Sequence, residues 1–111
     1  MGFLSNLFGG SKNNVTGEQA VEMVKDGAQL LDVREKHEWK TGHAAHATHV
    51  PLGQVATNAP KRLSKNRPVV VYCKSGMRSR SGAKTLRDLG FDAVSLKGGF
   101  SSWVNAGGRS A

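Results

Sequence analysis

The run Val69-Val70-Val71-Tyr72 most limits what this chain can fold into. It is continuous, β-branched and aromatic, and Pro68 and a charged stretch precede it. It lacks the polar alternation of a strand with one face in water. A run of this kind suits a central parallel strand covered on both faces. A glycine-containing loop, Cys73 to Met77, follows at once, and the pattern then turns helical.

The rest of the chain supplies neighbours for that strand. Thr16 and Gln19 fit a capping box, in which each side chain satisfies the other's backbone amide. Ala20, Val21, Val24 and Met23 would give the apolar face of the helix it starts, which Gly27 ends. Ala28 to Val33 reads as a buried strand broken by Asp32, and Glu35 to Lys40 as a short helix stopped by Thr41-Gly42. A short strand near Thr48 to Val50 ends at Pro51. Gly53 to Ser64 reads as a weakly patterned helix that Pro60 interrupts. Arg78 to Leu89 is a helix with Ala83, Leu86 and Leu89 as its buried stripe and Gly90 just past its end. Ala93 to Leu96 is a further strand. Gly98-Gly99 is a turn, and Phe100 to Ala106 a last helix containing Trp103. Strands alternating with helices give an α/β domain with a mostly parallel sheet.

At 111 residues the chain suits one domain. Residues 1–14 read as a tail and polar linker, 15–108 as the domain and 109–111 as a C-terminal tail. Sixteen Lys plus Arg against eight Asp plus Glu leave a net charge of +8, a field that favours anionic partners. The basic residues are scattered and aromatics make up only 6%, so no nucleic-acid stacking platform is expected. No apolar run is long enough for a transmembrane helix. The N-terminus lacks the basic and long apolar regions of a secretory signal, and Asn6 breaks the myristoylation pattern. Phe3, Leu4, Leu7 and Phe8 would share one helical face, but a packed or frayed terminus is the simpler expectation. The expected location is cytoplasmic.

Cys73 is the single cysteine, so the chain can form no intrachain disulfide and no thiolate metal site. It is either an inert buried thiol or a reactive one. Its position favours the second. Ligands of open α/β sheets bind outside the carboxyl ends of the strands, where loop amides and a helix N-terminus form an anion nest. Gly76 allows the tight turn, and Lys74 and Arg78 add positive charge. Such a setting lowers a thiol pKa, and the thiolate is the nucleophile.

Three blocks carry a resemblance to a known family. They are Leu30-Leu31-Asp32-Val33-Arg34-Glu35 with Glu38-Trp39 and Gly42-His43, then Val69 to Ser79, then Leu96 to Trp103 with Ala106-Gly107. Together they make the chain resemble a single-domain rhodanese, of the thiosulfate and persulfide sulfurtransferases, over roughly residues 15–108. The resemblance implies a three-layer α/β domain with a mostly parallel sheet of about five strands flanked by helices. It implies that Cys73 carries sulfur and that Lys74, Ser75, Gly76, Met77 and Arg78 form the loop around the persulfide. Arg78 matches the loop-closing arginine. Asp32, Arg34 and Ser79 take supporting places.

The same resemblance implies a sulfurtransferase that moves a sulfane sulfur from thiosulfate or a persulfide donor to cyanide, a thiol or an acceptor protein, without cofactor or metal. The spacing Cys73 to Arg78 is Cys-x4-Arg, whereas the related phosphatases and arsenate reductases resemble Cys-x5-Arg, a wider ring for an oxyanion. The rivals are a non-enzymatic sulfur carrier or interaction module and, on the loop-length argument less favoured, a phosphatase or arsenate reductase. The chain departs from the family at Gly42-His43-Ala44-Ala45-His46-Ala47, where Gly-His-Ile-Pro-Gly-Ala is usual, and at His49 and Met77. His43, His46 and His49 are spaced by three, but Gly42 and Pro51 argue for a loop and strand in which they would not converge on a metal.

Overall fold

The computed structural model describes residues 13–111. The Phe3, Leu4, Leu7 and Phe8 face lies outside the described residues. Five strands, β1 (Asn14–Val15), β2 (Gln29–Asp32), β3 (Thr48–His49), β4 (Val69–Tyr72) and β5 (Ala93–Leu96), form one sheet in the order β1-β5-β4-β2-β3. Every pairing is parallel. The helices are α1 (Gly17–Lys25), α2 (Lys36–Lys40), α3 (Val55–Asn58), α4 (Met77–Asp88) and α5 (Gly99–Asn105). The strand β4 lies at the centre, as its apolar run requires, and all four of its residues are buried.

Successive residues of a strand point to opposite faces, and β4 divides the core accordingly. Val70 and Tyr72 join Val15, Ala20, Met23 and Trp103 beneath α1 and α5. Val69 and Val71 join Val55, Ala83 and Leu86 beneath α3 and α4, and Cys73 belongs to this second cluster. The result is the three-layer α/β domain expected from the sequence. Among the described residues no helix is long and apolar enough to cross a membrane.

The local signals act through the atoms expected of them. The Gln19 amide donates to Thr16 Oγ1 at 3.1 Å, and the Thr16 amide donates to Gln19 Oε1 at 2.8 Å. Pro60 lacks the N–H that a continuous helix needs. The segment expected as one helix is instead a 3-10 turn (Leu52–Gln54), α3 and a second 3-10 turn (Ala59–Lys61), with Pro60 in the last of these.

Three details differ from the sequence reading. The edge strand β1 takes in Asn14, which reads as linker; the Ser95 amide donates to Asn13 O and the Lys97 amide to Val15 O, both at 2.8 Å. Two residues are too few to show alternation. Leu89 is 39% exposed rather than part of the buried stripe, because it caps α4 and turns outward while Phe91 fills the core. The last residues are tied to the domain: Ser110 bridges Ala44, and the Ala111 amide donates to His43 O at 2.8 Å.

Candidate active site

Cys73 leaves the carboxyl end of β4, flanked by the ends of β2 and β5. The loop after it curls back over its own sulfur. The Gly76 amide donates to Cys73 Sγ at 3.0 Å and the Ser79 amide at 3.4 Å, while Ser79 Oγ lies 3.6 Å from the sulfur. Gly76 has φ +114°, which an L side chain rarely adopts, and this conformation turns its N–H inward. Gly99 presses on the loop from below. A Cβ there would stand 2.5 Å from Cys73 O and closer still to Lys74 O. The Phe100 amide donates to Cys73 O at 2.9 Å, so the start of α5 fixes the loop's first peptide.

Burial pushes the Cys73 thiol up. The Ser79 hydroxyl and the amides of Ser79, Gly76 and Ser75 outweigh that and leave it below its ordinary value. A sulfur that accepts loop amides at the carboxyl end of the sheet is what the sequence leads one to expect. The leading stabilisers are hydrogen bonds rather than the Lys74 and Arg78 charges. Cys73 has no exposed surface. The loop is accessible: Lys74, Ser75 and Met77 are exposed. Arg34, Glu38, Lys74, Ser75 and Phe100 line a cavity of about 550 Å³ beside it.

The Arg78 guanidinium makes no hydrogen bond to the sulfur. It grips Glu38 of α2 through two bonds of 2.7 and 2.9 Å, so the first turn of α4 is clamped to the neighbouring layer. This pair holds the Glu38 carboxyl down to about 2. Asp32 and Arg34 form a buried ion pair at 2.7 Å. Arg34 also donates to Gly42 O at 2.7 Å and lies over the rings of Phe100 and Tyr72. The pair thereby braces Phe100, whose amide holds the Cys73 carbonyl. Ser79 lies nearer the chemistry than a supporting place implies, since both its amide and its hydroxyl face the sulfur.

The histidines do not converge. His43 stacks on Trp39 with ring centroids 3.4 Å apart, and His49 lies 4.8 Å from the same ring. His46 has φ +66° and is exposed. Among the described residues no group of three or more His, Cys, Asp or Glu has metal-site geometry.

Sequence reasoning gave no site role to Glu38 or Ser95, and read Gly99 only as part of a turn. Ser95 had one available signal: a hydroxyl inside a short strand that is otherwise apolar and wholly buried.

The class the fold and site define is an α/β domain with a parallel sheet and, at its carboxyl edge, a cysteine loop folded around its own sulfur. Residues 16–106 match the family of the rhodanese-like domain, and the chain belongs to that family. The chain is 35% identical over 98 residues to thiosulfate sulfurtransferase GlpE of Actinobacillus pleuropneumoniae serotype 7, which covers 84% of this chain and 87% of that protein. It is 40% identical over 77 residues to the uncharacterized protein YqhL of Bacillus subtilis, covering 68% of this chain and 60% of that protein's length. A rhodanese-related protein of Thermoplasma volcanium shares the fold with a TM-score of 0.79 and 27% identity, over 89% of this chain and 97% of that one.

Proposed function

We propose that this protein is a sulfurtransferase that carries a sulfane sulfur on Cys73 as a persulfide. One observation carries the reading: in a chain of the rhodanese-like family, the only cysteine receives the Gly76 and Ser79 amides on its sulfur. Donors aimed at a sulfur stabilise its anionic form, and it is the thiolate that attacks.

The cycle has two displacements. The Cys73 thiolate attacks the outer sulfur of thiosulfate or of another sulfane donor. The donor's S–S bond breaks, sulfite or a thiol leaves with the electron pair, and Cys73-S-S⁻ remains. Cyanide, a thiol or an acceptor protein then attacks that outer sulfur, and the Cys73 thiolate leaves. Amides of the Lys74 to Arg78 loop hold the persulfide. Exposed Lys74 draws the anionic donor to the cavity beside it. Arg78 acts by clamping the loop's end to Glu38, and Asp32 with Arg34 braces the loop through Phe100. No cofactor or metal takes part. A thiol that must stay reduced between turnovers suits the cytoplasm.

The test is thiocyanate formation from thiosulfate and cyanide. Wild type is expected to turn over many times and Cys73→Ala not at all. One turnover only would favour a carrier. Hydrolysis of an aryl phosphate that is lost in Cys73→Ser would favour the phosphatase reading instead.

A further inference from the structure

Four polar or charged residues are buried among those described: Asp32, Arg34, Ser79 and Ser95. The first two satisfy each other. The other two do the same, with Ser79 Oγ and Ser95 Oγ 2.7 Å apart, and no other partner of the Ser95 hydroxyl is found among the described residues. Ser95 sits on β5 opposite Val71, on the sheet face that carries Cys73 and α4. The two hydroxyls therefore continue from the sulfur as a chain: Cys73 Sγ, Ser79 Oγ at 3.6 Å, Ser95 Oγ at a further 2.7 Å.

A serine hydroxyl has one proton and two acceptor lone pairs. Ser79 has three acceptors within reach of that proton: Gly76 O at 3.1 Å, Ser95 Oγ and Cys73 Sγ. With a protonated thiol, the S–H donates to Ser79 Oγ and the Ser79 proton rests on Gly76 O. Once the sulfur is an anion, it can only accept. The arrangement that serves it has Ser95 donating to Ser79 Oγ and Ser79 donating to the sulfur. A donated hydrogen bond polarises the acceptor's own O–H and strengthens the bond that it makes in turn. With Ser95 as donor, its oxygen no longer competes for the Ser79 proton. Ser95 is one of the residues lining a cavity of about 190 Å³, with Asn14, Ser75, Arg80 and Lys97.

We propose that Ser95 is a positioning residue for the Cys73 anion: its hydroxyl donates to Ser79 Oγ and so turns the Ser79 proton onto the sulfur. The proposal rests on reading Cys73 as the reactive sulfur. The charged groups around Cys73 are Arg78 of α4, paired with Glu38 of α2, exposed Lys74 of the loop and the buried Asp32–Arg34 pair at the end of β2, while Arg80 and Lys97 line the cavity beside Ser95. Changing Ser95 leaves all of them in place.

The test is the pH profile of Cys73 alkylation by iodoacetamide, which counts thiolate whether or not sulfur is transferred. In Ser95→Ala the midpoint should move up and the rate near neutral pH fall about three- to tenfold, the worth of one ordinary hydrogen bond. The plateau rate at high pH should be unchanged. Ser95→Thr and Ser95→Val share a shape and differ in the hydroxyl, so they decide the matter even if the alanine variant does not fold. The threonine profile should follow wild type and the valine profile should follow alanine. Identical profiles for Thr and Val would overturn the proposal. Wild type that makes no thiocyanate would sink the sulfurtransferase reading; an active wild type with an unmoved valine profile would sink only the role of Ser95.

Discussion

Gly99→Ala puts a methyl group into the space held by the cysteine loop. Two costs arise and they can be separated. The first is conformational: Gly99 has φ +66°, and an L residue in that region costs about 1–2 kcal/mol. The second is steric. The new carbon would stand 2.5 Å from Cys73 O and closer to Lys74 O, and these are backbone atoms that cannot swing aside. Relief requires the loop or the start of α5 to shift, at roughly the 1–3 kcal/mol of an overpacked core. Gly107 is the control, since it has φ +90° and nothing within 4 Å of its added carbon. Gly107→Ala is expected to cost about 1 kcal/mol in urea unfolding, and Gly99→Ala about 2–5 kcal/mol. The excess lies at the site. The Cys73 peptide must move and the Phe100 amide loses its grip, so folded Gly99→Ala should also alkylate more slowly than wild type at neutral pH. Equal stability and equal alkylation rates for the two variants would refute the claim that α5 shapes the loop by contact.

Asp32→Ala leaves Arg34 buried without its carboxylate. The expected loss is about 3–5 kcal/mol in the same unfolding assay, and a loss under about 1 kcal/mol would show that the pair braces nothing. Glu38→Gln removes one arm of a partly exposed clamp and is expected to cost about 1 kcal/mol at neutral pH, discounted for solvent screening. Its pH dependence has a definite sign. The folded carboxyl is held down to about 2 from an ordinary 4.5, so its contribution is full above 4.5 and fades as pH falls toward 2. The stability gap between wild type and Glu38→Gln should close over that window, and a gap independent of pH there would contradict the clamp.

The sequence was most legible where a local rule and the global fold agree. The Val69 to Tyr72 run defines the central strand because a strand covered on both faces needs no polar positions. The Thr16 and Gln19 cap is local by nature. The places of Cys73 and Gly76 were readable because the end of a clear strand followed by a glycine turn and a helix puts them at the sheet's carboxyl edge. What escaped reading depends on contacts between residues far apart in the chain. Arg78 looks like a charge for the sulfur until the fold brings Glu38, forty residues earlier, against it. Gly99 looks like part of a turn, and only the packed α5 shows that its missing side chain makes room for the Cys73 and Lys74 carbonyls. The strand β1 exists because β5 offers it an edge, and nothing in Asn14-Val15 announces it.

The intact mass of the protein after incubation with a sulfane donor bears most directly on the central claim. A gain of one sulfur atom is predicted, located on Cys73, released as thiocyanate by cyanide and absent from Cys73→Ala. A protein that takes up no sulfur from thiosulfate or from any persulfide, or an adduct that survives in Cys73→Ala, would contradict it.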